Sequence, residues 1–141
     1  MSDIRRVIVT GSRTWDDEQK TADALHEVRR EALGEGADGV VVVHGARPEG
    51  ADALAAAWCA ANGVPVEPRP ADEATGGRDA GYLRDQEMVG AGAGLCLVFV
   101  GPCTSGRCRR PKPHDSHDAN ACAELAAKAG IAVRKWTWTD R

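Results

Sequence analysis

The sequence predicts a doubly wound α/β domain, a parallel sheet covered by helices on both faces. Two observations carry this. Short runs rich in β-branched residues, "RRVIVT" (5–10), "GVVVVH" (39–44) and "LCLVFV" (95–100), read as strands apolar on both faces. Between them lie segments whose apolar residues recur at helical spacing, and such alternation demands parallel pairing through crossover helices.

The elements follow in order. After the first strand, "TWDD" offers Thr14 with Asp17 three residues on, the spacing of a capping box. Ala22, Leu25, Val28 and Leu33 then mark a helix stopped by Gly34 and Gly36. From Gly50, the set Ala51, Leu54, Ala55, Trp58 and Cys59 follows the helical pattern until Asn62 and Gly63. Val64 to Glu67 reads as a short third strand, and "PRPADEATGGRD" (68–79) as an irregular loop. Ala80, Leu83, Met88 and Ala91 approximate one face of a third helix. Ala119, Cys122, Leu125, Ala126 and Ala129 outline a last helix ending at Gly130, and "IAVRKW" (131–136) closes as a fifth strand. No repeat or internal boundary interrupts this, so residues 1–141 are expected to form a single domain.

Composition narrows the function. With 18 basic and 21 acidic residues the net charge is −3, so any attraction to nucleic acid must be local. Only Val7 to Thr10 could pass as a hydrophobic segment near the N-terminus. That is too short for a signal peptide or membrane span, and the expectation is a cytoplasmic protein without membrane contact. Five cysteines, an odd number, do not suggest a disulfide framework.

In doubly wound sheets, ligands bind beyond the carboxyl ends of the strands. Three segments lie there. In "TGSR", Gly11 permits close backbone approach, Ser12 offers a hydroxyl and Arg13 a bidentate anion fork. In "HGARPEGAD" (44–52), Gly45 and Gly50 bracket a turn that leads into a helix, where N–H groups and the helix dipole can cradle a phosphate. Arg47 adds charge, and Asp52 either complements the dipole or accepts from a ribose hydroxyl. His44 reads first as a core or turn histidine. Neither GxGxxG nor GxxxxGK[ST] is present.

Taken together, "VIVTGSR", "VVVHGARPEGADALAAAW", "GYLRDQEMV" and "LCLVFV" resemble the SLOG superfamily, which includes the DprA and LOG proteins. The similarity is greatest to the small YspA/cpYpsA-related branch of bacteria and phages, and it runs from about Arg5 to Trp136. The resemblance implies a Rossmann-like three-layer domain on a five-stranded parallel sheet of order 3-2-1-4-5, and binding of a nucleotide or nucleotide-derived small molecule. It carries a phosphate-facing role onto Gly11, Ser12, Arg13, Gly45, Ala46, Gly50, Ala51 and Asp52, and a site role onto Arg84. Many relatives follow that arginine with Asn, whereas this chain has Asp85, which removes a donor and adds negative charge. With Arg47, Asp85, Ser116 and His117 the candidate ligand-binding set is complete.

A second departure follows strand four. LOG-type phosphoribohydrolases carry Gly-Thr with a Glu three residues after the Thr, which serves the N-glycosidic chemistry. Here "SHDANAC" places Asp118-Ala119 and Cys122 at those points, and Glu124 lies two residues too late, turned by about 200° on a helix. The first reading is therefore a binding or sensing domain. A nucleoside-monophosphate N-glycosidase, a hydrolase, is the alternative. DprA-like nucleic-acid binding through Arg107, Arg109, Arg110 and Lys112 is the third, and a homo-oligomer is compatible with each.

The same stretch has the order C-x4-C-x5-H-x2-H-x4-C, namely Cys103, Cys108, His114, His117 and Cys122. Four thiolate or imidazole ligands satisfy tetrahedral zinc, so these residues are candidates for a structural zinc site, with Cys122 the spare because it shares a helix face with Leu125 and Ala129. The expected position is the loop after strand four, facing "TGSR" across the crevice. No organic cofactor is expected.

Overall fold

A computed structural model describes residues 3–72, 80–103, 108–109, 111–112 and 117–139, without the side chains of 117–120. The strands are β1 (Ile4–Gly11), β2 (Gly39–His44), β3 (Val66–Pro68), β4 (Leu95–Val100) and β5 (Ala132–Thr137). The helices are α1 (Glu18–Gly34), α2 (Gly50–Asn62), α3 (Ala80–Gly90) and α4 (His117–Lys128). All pairings are parallel and the order is β3-β2-β1-β4-β5, as the resemblance implied.

Each central strand is apolar on both faces because each face is covered. On one side, Val7, Val9, Val42, Leu97 and Phe99 pack with Trp15, Leu25, Val28 and Trp58 of α1, α2 and the loop before α1. On the other, Ile8, Val43, Cys96, Val98 and Val100 meet Met88 and Val89 of α3 and Cys122 and Ala126 of α4. All six residues of β4 are buried, as a middle strand between β1 and β5 must be. β5 is an edge strand and mostly exposed, its Trp136 stacked on Phe99 at 5.0 Å. Among the described residues, no helix is long and apolar enough to cross a membrane.

Four local expectations are corrected. The cap of α1 is Asp17, whose carboxylate accepts from the Lys20 N–H, while Thr14 instead donates its hydroxyl to the Pro102 carbonyl at 2.7 Å. Leu33 is exposed, because α1 buries Val28 and then Ala32, and a residue five on from Val28 is turned about 140° away. β3 begins two residues later than expected and ends on Pro68, which an edge strand tolerates.

The fourth concerns α3. Its buried face is Ala80, Arg84, Asp85, Met88 and Val89, and Leu83 points outward at 45 % exposure. A search for apolar residues cannot find this face, because two of its five members are charged. They bury by pairing, not by hydrophobicity.

Candidate functional site

The loops after β1 and β4 are joined before either can meet a ligand. Ser12 donates its N–H to the Phe99 carbonyl at 3.0 Å, and its Oγ accepts from the Gly101 N–H at 2.9 Å. Ser12 is 1 % exposed, so in this structure its hydroxyl ties the two loops together. Trp15, also buried, donates its indole N–H to Thr21 Oγ1 and leans on Phe99. Gly11 sits so close to Ala51 and the Phe99 carbonyl that a Cβ would collide with both.

The β2–α2 turn is built around two unusual backbone positions. Gly50 has φ +75° and lies against the Ser12 carbonyl and Arg13 Cα. Ala46 has φ 59°, the left-handed region that costs a residue with a Cβ about 1 kcal/mol. Flanking hydrogen bonds hold it there. The Ala46 N–H donates to His44 Nδ1 at 3.0 Å, and the Arg47 N–H donates to Asp52 Oδ2 at 3.3 Å. Two N–H groups expected to be open for a phosphate are thus engaged within the protein. His44 is a buried turn acceptor, and burial lowers its pKa against the pull of Asp52. Glu49, at the N-cap of α2, makes no side-chain capping hydrogen bond, so the first turn of the helix is left to other partners.

Arg84 is the most buried of the site's arginines, at 6 % exposure, and among the site's charged side chains only the Asp52 carboxylate beneath it is less exposed, at 4 %. The Arg84 Nε donates to Asp85 Oδ1 and its Nη1 to the Gly45 carbonyl, both at 2.8 Å. Gly45 makes this possible: a Cβ there would lie 2.8 Å from Arg84 Cζ and 2.9 Å from Asp52 Oδ2. Among the described residues no acceptor engages Arg84 Nη2. Burial raises the pKa of Asp52 and of Asp85. The neighbouring arginines Arg47 and Arg84 oppose the rise at both.

Above this layer lies a cavity of about 450 Å³ at the carboxyl ends of β1 and β2. Arg13, Gly45, Ala46, Arg47, Arg84 and Asp85 line it, six of the residues singled out from sequence. Gly11, Ser12, Gly50, Ala51 and Asp52 do not line the cavity, and those of them that make contacts support the turns that do. Three arginines against two aspartates, Asp52 beneath and Asp85 in the wall, leave a charge of +1 when all are ionised. Pro48, Pro70, Ala71, Ala80, Gly81, Tyr82 and Ala121 complete the lining, and sequence reasoning did not select them. Tyr82 is the one with a signal to find: an aromatic two residues before Arg84 at the start of a helix.

The cysteine and histidine segment is described in part. His114 and Ser116 lie outside the described residues, as does the side chain of His117, although His117 opens α4. Cys103 is buried directly after the Ser12-bonded turn and Cys108 is half-buried. Cys122 is fully buried in the apolar layer beside the Cys96 thiol. Among the described residues, no group of three or more His, Cys, Asp or Glu is placed to hold a metal.

The protein is thus a doubly wound α/β domain with an arginine-lined crevice at the carboxyl edge of its sheet. The family model described as YspA, cpYpsA-related SLOG family matches residues 5–76. The Gene 61 protein of Mycobacterium phage D29 is 40 % identical over 136 residues, covering 92 % of this chain and 94 % of its own. The chain belongs to the YspA, cpYpsA-related SLOG family. Two solved structures of the C-terminal domain of PF1911 hydrogenase from Pyrococcus furiosus align over 96 % of this chain, with TM-scores of 0.43 and 0.37 and 16 % identity, covering 94 % and 93 % of theirs.

Proposed function

We propose that this domain binds a nucleotide or nucleotide-derived small molecule in the crevice beyond the carboxyl ends of its strands, as a ligand sensor or binding domain. One observation carries the reading: a buried arginine, Arg84, borders a cavity with its Nη2 unclaimed by any acceptor among the described residues. A buried guanidinium held by two bonds and open at its remaining edge is suited to an anion. Arg13 and Arg47 approach from the turns after β1 and β2. Membership of the SLOG family supports a nucleotide-related role in general.

Binding is favoured over N-glycosidic hydrolysis by the fate of position 122. Where the resemblance leads one to expect a catalytic carboxylate, this chain buries a thiol in the apolar core. The test is calorimetric titration with AMP and other nucleoside monophosphates, followed by chromatography of the mixture. Saturable binding with the nucleotide recovered intact supports the proposal. Release of free base would replace it with the hydrolase reading. Binding of oligonucleotides that disappears in moderate salt, with no monophosphate bound, would favour the nucleic-acid reading.

A further inference from the structure

We infer that the N-terminal half of α3 is a ribonucleoside-recognition surface, with Tyr82 stacking the base and Asp85 accepting from the ribose hydroxyls. The inference rests on the reading of the cavity as a nucleotide site and narrows its ligand to a single ribonucleotide.

Tyr82 and Asp85 are three residues apart on one helix, so their side chains emerge as neighbours about 5–6 Å apart at Cβ. Both line the cavity. That separation is of the same order as the distance from a base to the hydroxyls of its own ribose. Among the described residues that line the cavity Tyr82 is the only aromatic one, and it is 50 % exposed. Leu83 beside it is also exposed but lies outside the cavity lining. A half-exposed ring at a cavity rim offers one face to solvent, where any base can stack.

Asp85 is oriented by its neighbour. Its Oδ1 accepts from Arg84 Nε, which leaves Oδ2 without a hydrogen bond among the described residues. A carboxylate so placed is a strong acceptor for a vicinal diol and a poor neighbour for a phosphate. The phosphate is therefore assigned to the open Nη2 edge of Arg84 together with Arg13 and Arg47, which come from the two turns facing α3. The volume of about 450 Å³ sits near the lower end of ligand cavities, as a single nucleotide requires.

The test uses the full chain and titrates AMP, 2′-deoxy-AMP and ribose 5-phosphate into the wild type and into Tyr82→Ala, Tyr82→Phe and Asp85→Asn. AMP is expected to bind about 10-fold or more tighter than ribose 5-phosphate, and Tyr82→Ala to abolish the difference while Tyr82→Phe keeps it. AMP is expected to exceed 2′-deoxy-AMP several-fold, with Asp85→Asn reducing that ratio. Tyr82 is exposed, so its variants read binding without threatening the fold. Equal affinity of the wild type for AMP and ribose 5-phosphate would overturn the inference and leave the cavity's anion-binding role standing. Failure of all three probes to bind would overturn both.

Discussion

The guanidinium of Arg84 on α3 reaches across the crevice to the carbonyl of Gly45 on the β2–α2 turn, Nη1 to oxygen at 2.8 Å. This contact ties α3, on one face of the sheet, to the turn that leads into α2 on the other. It requires a residue without a Cβ at position 45 and a charge balanced by Asp85.

Removing the guanidinium leaves Asp85 buried and uncompensated. Arg84→Ala is expected to cost about 3–5 kcal/mol, the cost of breaking a buried pair from one side. Arg84→Met combined with Asp85→Asn should recover part of that loss. Chemical denaturation of Arg84→Met, Asp85→Asn and the variant that combines them measures the coupling. Additive effects would show that the pair is not energetically linked.

The two turn glycines separate stability from binding. Gly50→Ala combines a φ of +75° with a collision against the backbone of Ser12 and Arg13, and is expected to destabilise by about 2 kcal/mol or more. Gly45→Ala meets side-chain ends, chiefly Arg84 and Asp52, which can shift. Its expected signature is a smaller loss in melting temperature and about 10-fold weaker binding of a nucleoside monophosphate, because the Arg84 anchor is displaced.

Asp85 gives the site a pH dependence whose sign can be worked out. Its pKa is raised first by burial, so it takes up a proton on acidification sooner than an ordinary carboxyl, and the cavity becomes more positive. Inorganic pyrophosphate is expected to bind Asp85→Asn about fivefold tighter than wild type at neutral pH, since removing a unit charge across a wet cavity is worth about 1 kcal/mol. The advantage should shrink as pH falls through the raised carboxyl range. A ratio that does not change with pH would place the charge elsewhere.

Acid stability has a separate origin. The bidentate pair of Glu67 with Arg6 lowers the Glu67 carboxyl to about 2. A depressed folded-state pKa contributes stability above the ordinary carboxyl range that is lost as pH falls toward about 2. Glu67→Gln should flatten that acid limb of the stability curve. Both side chains are partly exposed, so the loss at neutral pH is expected to be about 1 kcal/mol or less.

Zinc is tested by metal content on untagged protein. The proposed ligands are Cys103, Cys108, His114 and His117, with Cys122 committed to the core beside Cys96. One zinc per chain, lost in Cys103→Ser and kept in Cys122→Ala, is the expected result. Metal content near zero, with Cys103 and Cys108 both open to a thiol reagent, discards the site.

Periodicity and chain order were enough to read the fold class, because strands buried on both faces leave a characteristic spacing. "LCLVFV" is the clearest case, and all six of its residues are buried. The strand order came from the family resemblance, and the partly charged buried face of α3 left no apolar pattern to read. The residues around the crevice were legible as types: glycines, arginines and aspartates placed just after strands. Their division of labour was not. Only packing turns Ser12 inward to bond Gly101, closes the Ala46 and Arg47 N–H groups onto His44 and Asp52, and buries Arg84 and Asp85 where an apolar count had placed Leu83. Local spacing encodes which face of an element is apolar. Whether a polar group faces ligand or protein depends on which acceptor lies across from it, and those acceptors come from segments distant in the chain, as Gly45 is from Arg84.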